Sequence, residues 1–155
     1  RVHLMAGIAD RRDPKAVAAF RKSVEWAANF VGDHGVDVVI EPINPRDVPG
    51  YFLNDFGFAC DLIRDLGIPN VGLQFDIYPC QILHGDVMKS LEALLPVTGH
   101  IQVASVPKRN EPGTGELDDA RIFRHLDALG YDGFVGCEYR PAGKTLDGLS
   151  WLRTA

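Results

Sequence analysis

Apolar residues along this chain fall into two alternating kinds of run. Short, nearly continuous runs rich in β-branched residues read as strands: VHLMA (2–6), VDVVIE (36–41), VGLQFDI (71–77), HIQVA (100–104) and FVGCE (134–138). Longer segments with helical spacing lie between them. Val17, Phe20, Val24, Ala27, Ala28 and Val31 keep a helical period across 14–33, and Pro14 suits a first helical turn. Asn54 or Asp55 can cap a helix running to about Asp65, stopped by Gly67 and Pro69. A single helix is predicted from about Ile82 to Leu95, ended by Pro96. Asp118 caps another that runs to about Leu129, with Gly130 at its stop, and Thr145–Leu152 reads as a closing helix.

The pattern predicts five βα units in series. Strands that are apolar throughout, rather than alternating, belong to a parallel sheet covered by helices. A doubly wound open sheet has the same local signature. The residues at the strand ends favour a closed barrel, because closure aims them at one point. An eight-unit barrel takes about 250 residues, and this chain has 155. The expected fold is therefore α/β, a (β/α)8 TIM barrel represented by its last five units. Residues 1–155 would form the C-terminal part of a single domain. The two sheet edges of such a part would be open to pairing, as in a homo-oligomer.

Glu41, Asp76, Gln102 and Glu138 each stand at the carboxyl end of one strand-like run, 35, 26 and 36 residues apart. Barrels build their sites from side chains placed this way. Three carboxylates and an amide oxygen form a hard ligand set that suits Mg²⁺ or Mn²⁺ better than Zn²⁺. Taken singly, each has a blander explanation: Glu41 a surface or capping residue, Asp76 an N-cap for the next helix, Glu138 a buried ion-pair partner of Arg140. His100, two residues before Gln102, is either a core histidine or a neighbour of the site on the same strand face. The loop PKRNEPGTGELD (107–118) has two glycines and two prolines. Its Lys108 and Arg109 are either a solvated turn or a grip on an anionic substrate, with Arg able to offer a carboxylate two parallel hydrogen bonds.

A net charge of −5 and a pI near 5.4 argue against nucleic acid or an anionic membrane as partner. No apolar run approaches the roughly 18 residues of a membrane span, and no signal peptide is evident. Cys60, Cys80 and Cys137 are odd in number and widely spaced, which fits reduced thiols in a cytoplasmic protein.

The segments EPINPRDVPGYFL, QFDIY, GHIQVA, RNEPGTGE and YDGFVGCEY, in that order, resemble the hydroxypyruvate isomerase family, which includes the 2-oxo-tetronate isomerases, within the xylose isomerase-like barrels. The resemblance runs from Val2 to the C-terminus. It implies an isomerase in which Glu41 and Glu138 transfer the proton. Glu41, Asp76, Gln102 and Glu138 would hold a divalent metal, Mg²⁺ or Mn²⁺, and Arg109 would face a small hydroxy-oxo acid. On hydroxypyruvate the implied product is tartronate semialdehyde, formed through an enediolate. Pro79 and Ser105 depart from the family pattern, which usually has His and often Asp at these positions. A ketose 3-epimerase or other sugar isomerase is the alternative within enzymes, although that class usually has His where Gln102 stands. A non-catalytic barrel fragment or assembly module is the alternative outside them.

Overall fold

The computed structural model describes residues 1–153. Five strands form one sheet in chain order: β1 Val2–His3, β2 Val38–Ile40, β3 Val71–Asp76, β4 Thr98–Val103 and β5 Val135–Cys137. The β1–β2, β2–β3 and β4–β5 pairs are parallel. Strictly sequential order argues against a doubly wound sheet, in which the order reverses at a switch point. Strands β1, β2, β3 and β5 are shorter than their apolar runs because only these residues complete a ladder, whereas β4 starts two residues before its run and ends one residue short of it.

The chain divides into two compact units. The first holds Arg1–Phe75 and Pro96–His100. The second holds Asp76–Leu95 and the chain from Ile101 on.

In the first unit, helix α1 (Pro14–Gly32) starts on Asp13, whose carboxylate accepts from Lys15 N–H. It buries Phe20, Val24, Ala27 and Ala28, one stripe at helical spacing. Helix α2 (Phe56–Leu66) is capped by Asp55 and ended by Gly67 at φ 60°, as the sequence predicts. Ile40, Phe52, Leu53, Leu73 and Phe75 are fully buried, and Phe20 tilts against Phe52 with ring centroids 5.1 Å apart. Between β3 and β4, Gly72 and Gly99 bring two backbones together. A Cβ on Gly72 would stand 3.1 Å from Gly99 Cα. Trp26 and Phe30 stack on the exposed side of α1, with centroids 5.2 Å apart.

In the second unit, the helix predicted over Ile82–Leu95 is two helices, α3 (Ile77–Leu83) and α4 (Val87–Leu94). Gly85 at φ 65° and Asp86 at φ 46° interrupt them, and consecutive left-handed residues cannot continue a right-handed helix. Helix α3 begins at once after β3, with Pro79 in its first turn, where a missing N–H breaks no bond. Helix α5 (Asp119–Ala128) is capped by Asp118. The predicted closing helix is a 3₁₀ segment, Thr145–Arg153. Gly148, within it, lies so close to Glu111 that a Cβ there would meet Glu111 Oε1 at 2.5 Å. Leu91, Ile101, Val103, Ile122 and Leu126 form the core. Among the described residues no helix is long and apolar enough to cross a membrane.

Candidate active site

In the first unit the candidate side chain is Glu41, one residue beyond β2 and only 4% exposed. A buried carboxylate needs hydrogen-bond donors or cations. Gln74 Nε2 donates to Glu41 Oε2 at 2.6 Å, and His3 Nδ1 lies 3.4 Å from the same oxygen. The parallel register explains this pairing. Ile40 pairs with Leu73, so the residues one step further on, Glu41 and Gln74, are neighbours across the strands. Tyr51, from the loop that follows, is buried beside them and takes a hydrogen bond from Ala6 N–H at 2.9 Å. Burial, and secondarily the charge of Glu41, raise the Tyr51 phenol above its ordinary pKa. Gln74 and His3 are neighbours of Glu41 that the sequence did not single out. Gln74 had a signal: it is a polar residue in an apolar strand, two before Asp76 and so on the same strand face.

His100 also belongs to the first unit and is half-buried. Burial, then the positive charge of Arg1, lower its pKa. Its Nδ1 makes no hydrogen bond among the described residues.

In the second unit Asp76, Arg109 and Glu138 come together. Asp76 is fully buried. Its Oδ1 accepts from Tyr78 N–H at 2.9 Å, so it is the N-cap of α3. Its Oδ2 faces Arg109 Nη2 at 3.8 Å. The same Arg109 nitrogen lies 3.2 Å from Glu138 Oε2. One carboxylate oxygen of Asp76 and one of Glu138 lie within 4.8 Å of each other. The guanidinium also rests over the Tyr78 ring, 5.1 Å from its centroid.

Two expectations about Glu138 are corrected. Its side chain is 55% exposed rather than buried, and it stands just beyond β5, which pairs with β4 among the described residues. Its ion-pair partner is Arg109, not Arg140; Arg140 instead uses its backbone, donating N–H to Arg109 O at 2.7 Å. Gln102 sits half-buried in β4, opposite Gly136, between the fully buried Ile101 and Val103. Lys108 is exposed on the loop and has no part in the Arg109 contacts.

The donor set fits a hard divalent cation. Asp76 and Glu138 can each offer a carboxylate oxygen in the second unit, and Glu41 is a buried carboxylate in the first. The counter-charge present beside Asp76 and Glu138 is one arginine.

The sequence profile described as the xylose isomerase-like TIM barrel matches residues 1–155. The chain belongs to this family. It is 46% identical to a 2-oxo-tetronate isomerase of Cupriavidus necator over 155 residues, covering 99% of this chain and 60% of that protein. It is 37% identical to the hydroxypyruvate isomerase of Escherichia coli over 135 residues, covering 87% of this chain and 52% of that protein. Among solved structures, one described as an AP endonuclease, family 2, from Brucella melitensis superposes with a TM-score of 0.93 at 41% identity, over 98% of this chain and 59% of that one. A 3-keto-D-glucoside 4-epimerase from E. coli superposes with a TM-score of 0.79 at 26% identity, over 99% of this chain and 63% of that one. The chain thus spans about six-tenths of the length of the first of these curated relatives.

Proposed function

We propose that this chain carries the catalytic side chains of an isomerase acting on a small hydroxy-oxo acid, hydroxypyruvate or a 2-oxo-tetronate. Glu41, Asp76, Gln102 and Glu138 would hold one Mg²⁺ or Mn²⁺. The observation that carries this reading is the pair of buried carboxylates, Glu41 and Asp76, just beyond β2 and at the end of β3, with Arg109 placed against Asp76 and Glu138. Likeness to proteins named 2-oxo-tetronate isomerase and hydroxypyruvate isomerase supports the choice of substrate.

When bound, the cation would polarise the substrate carbonyl as a Lewis acid. The protein's own groups do the rest. Glu41 or Glu138 takes a proton from C3 of hydroxypyruvate, and the C–H electron pair becomes the C2–C3 double bond of an enediolate. Protonation at C2, with the C3 hydroxyl proton passing to the C2 oxygen, gives tartronate semialdehyde. Arg109 pairs with the substrate carboxylate and offsets the repulsion between an anionic substrate and the acidic site. His100 and Lys108 are proposed as further substrate contacts.

A 3- or 4-epimerase of a neutral sugar is the second reading, supported by the 26% identity to the 3-keto-D-glucoside 4-epimerase. Side-by-side kcat/KM values on the three-carbon acid, the four-carbon acid and a neutral ketose decide between them. A clear preference for the neutral ketose would overturn the oxo-acid assignment. Full activity in EDTA-treated protein without added Mg²⁺ or Mn²⁺ would remove the metal from the mechanism.

We further propose that 1–155 is the C-terminal part of one barrel domain and that it sits in a longer protein or self-associates. Among the described residues β1 pairs with β2, and Val2, Met5 and Ile8 beside it are exposed. Light scattering tests this: a stable monomer of 1–155 at micromolar concentration would contradict it.

A further inference from the structure

Glu138 is exposed just beyond β5, and the segment around it is closely tied. Among the described residues β5 pairs with β4 and ends at Cys137. The segment after Glu138 is fastened to the Arg109 loop at three points. Arg140 N–H donates to Arg109 O at 2.7 Å, and Asn110 Nδ2 donates to Arg140 O at 2.6 Å. Ala142 N–H points between the two carboxylate oxygens of Glu111, 3.1 and 3.2 Å away.

The same ties hold Arg109 in a costly conformation. Its φ is 58°, the left-handed region that non-glycine residues rarely adopt. Arg109 N–H donates to Ser105 O at 2.8 Å while its own carbonyl accepts from Arg140. Strain of this kind persists only where the surroundings over-determine it, and it concentrates at functional sites. Glu111 is the buried member of the fastening, 5% exposed, and its carboxylate packs on Gly148. A solvent-exposed turn can be closed by a neutral side chain. Burying a carboxylate to take one backbone N–H costs more, so the contact is placed for something besides closing the turn.

We propose that Glu111 is a positioning residue for the site. By holding Ala142 N–H it fixes the segment after Glu138 and keeps the Glu138 carboxylate against Arg109. Asn110 serves the same fastening from the other side of Arg109. This deepens the proposed function and rests on it, because it matters only if Glu138 is a metal ligand and proton-transfer group. Groups that orient metal ligands typically change affinity or activity by about 10–100-fold when removed.

The test is a Mn²⁺ titration followed by the electron paramagnetic resonance of free Mn²⁺, with a thermal melt beside it. The protein is compared with Glu111→Ala, Glu111→Gln and Asn110→Ala. The expected result is a Mn²⁺ affinity about 10-fold weaker in Glu111→Ala. Glu111→Gln keeps an acceptor for Ala142 N–H and should recover most of it. Asn110→Ala should show a smaller loss of the same sign. A lower melting temperature with Mn²⁺ affinity unchanged would make Glu111 a support of the fold and overturn the proposal. Equal losses for Ala and Gln would overturn it too, since charge rather than the held N–H would then matter. If Glu111→Ala does not fold, Asn110→Ala carries the test: weakened Mn²⁺ binding supports the fastening and unchanged binding overturns it. A wild-type protein that takes up no Mn²⁺ would overturn the proposed function and this inference with it, and that outcome is distinct from equal binding by every variant.

Discussion

Glu41 and Glu138 have the same side chain and the same proposed roles, but the two units hold them by opposite means. Glu41 is buried just beyond an interior strand, and a neutral amide and an imidazole from neighbouring strands address it. Its placement follows from sheet register, so it needs little from loops. Glu138 is exposed just beyond β5, and a full positive charge from a strained loop residue addresses it. Its placement depends on contacts between two loops. Register gives the first carboxylate rigidity, and loop chemistry gives the second its partner. The two should therefore fail differently when perturbed.

Replacing either acid is the largest expected effect. Glu41→Gln and Glu138→Gln should each lower kcat by about 100-fold or more if both transfer protons. Asp76→Ala should act mainly through metal affinity, read by Mn²⁺ titration. A loss below tenfold for Glu138→Gln beside a full loss for Glu41→Gln would break the symmetry and leave Glu41 as the proton-transfer group.

Arg109→Ala comes next. It should reduce kcat/KM on hydroxypyruvate or 2-oxo-tetronate more than on a neutral ketose, because the guanidinium is proposed to meet a carboxylate. Equal losses on both substrates would confine Arg109 to pairing with Asp76 and Glu138.

Gln74→Leu probes the register-held side. It removes the 2.6 Å hydrogen bond to a buried carboxylate, which should lower stability by about 1–3 kcal/mol in urea denaturation. If stability is unchanged, Glu41 does not depend on its strand neighbour and the contrast between the units is weaker than drawn.

The smallest effect concerns Asp119, which anchors the Arg109 loop by accepting from Gly113 N–H at 2.6 Å. Burial raises its pKa, against the opposing effect of that hydrogen bond. A raised folded-state value means that its contribution to stability is complete below the unfolded pKa near 4. That contribution is lost as pH rises through the raised value. Asp119→Asn removes this dependence. The variant should gain a few degrees in melting temperature over the wild type at neutral pH, with the gain shrinking toward pH 4. A difference that is constant with pH would show that the buried charge is not what the loop carries.

Much of the scaffold was legible along the chain. Asp55, Gly67, Asp118 and Gly130 mark helix ends because capping and left-handed turns are local chemistry. The break inside 82–95 was missed because Gly85 and Asp86 are read as helix-tolerated residues until their backbone angles are known. The helical backbone begins earlier than expected, at Ile77, and Pro79 is tolerated there because a proline in the first turn breaks no hydrogen bond. The exposure of Glu138 was missed for a different reason. Its run FVGCE is as apolar as an interior strand, and nothing in those five residues says how far packing covers the carboxylate at their end.

The sequence by itself determined the alternation of strand and helix, the parallel sheet and the carboxylates at the end of β3 and just beyond β2 and β5, since these follow from period, propensity and caps acting over a few residues; Gln102, expected at a strand end, lies inside β4. Only the tertiary structure decided which groups answer those residues. Gln74 meets Glu41 through register between strands 33 positions apart, and Arg109 meets Asp76 and Glu138 through a loop held in a left-handed turn by residues 140–142. Partners of a buried charge are chosen by distance in space and by the cost of leaving the charge unanswered, and neither quantity is written in local spacing.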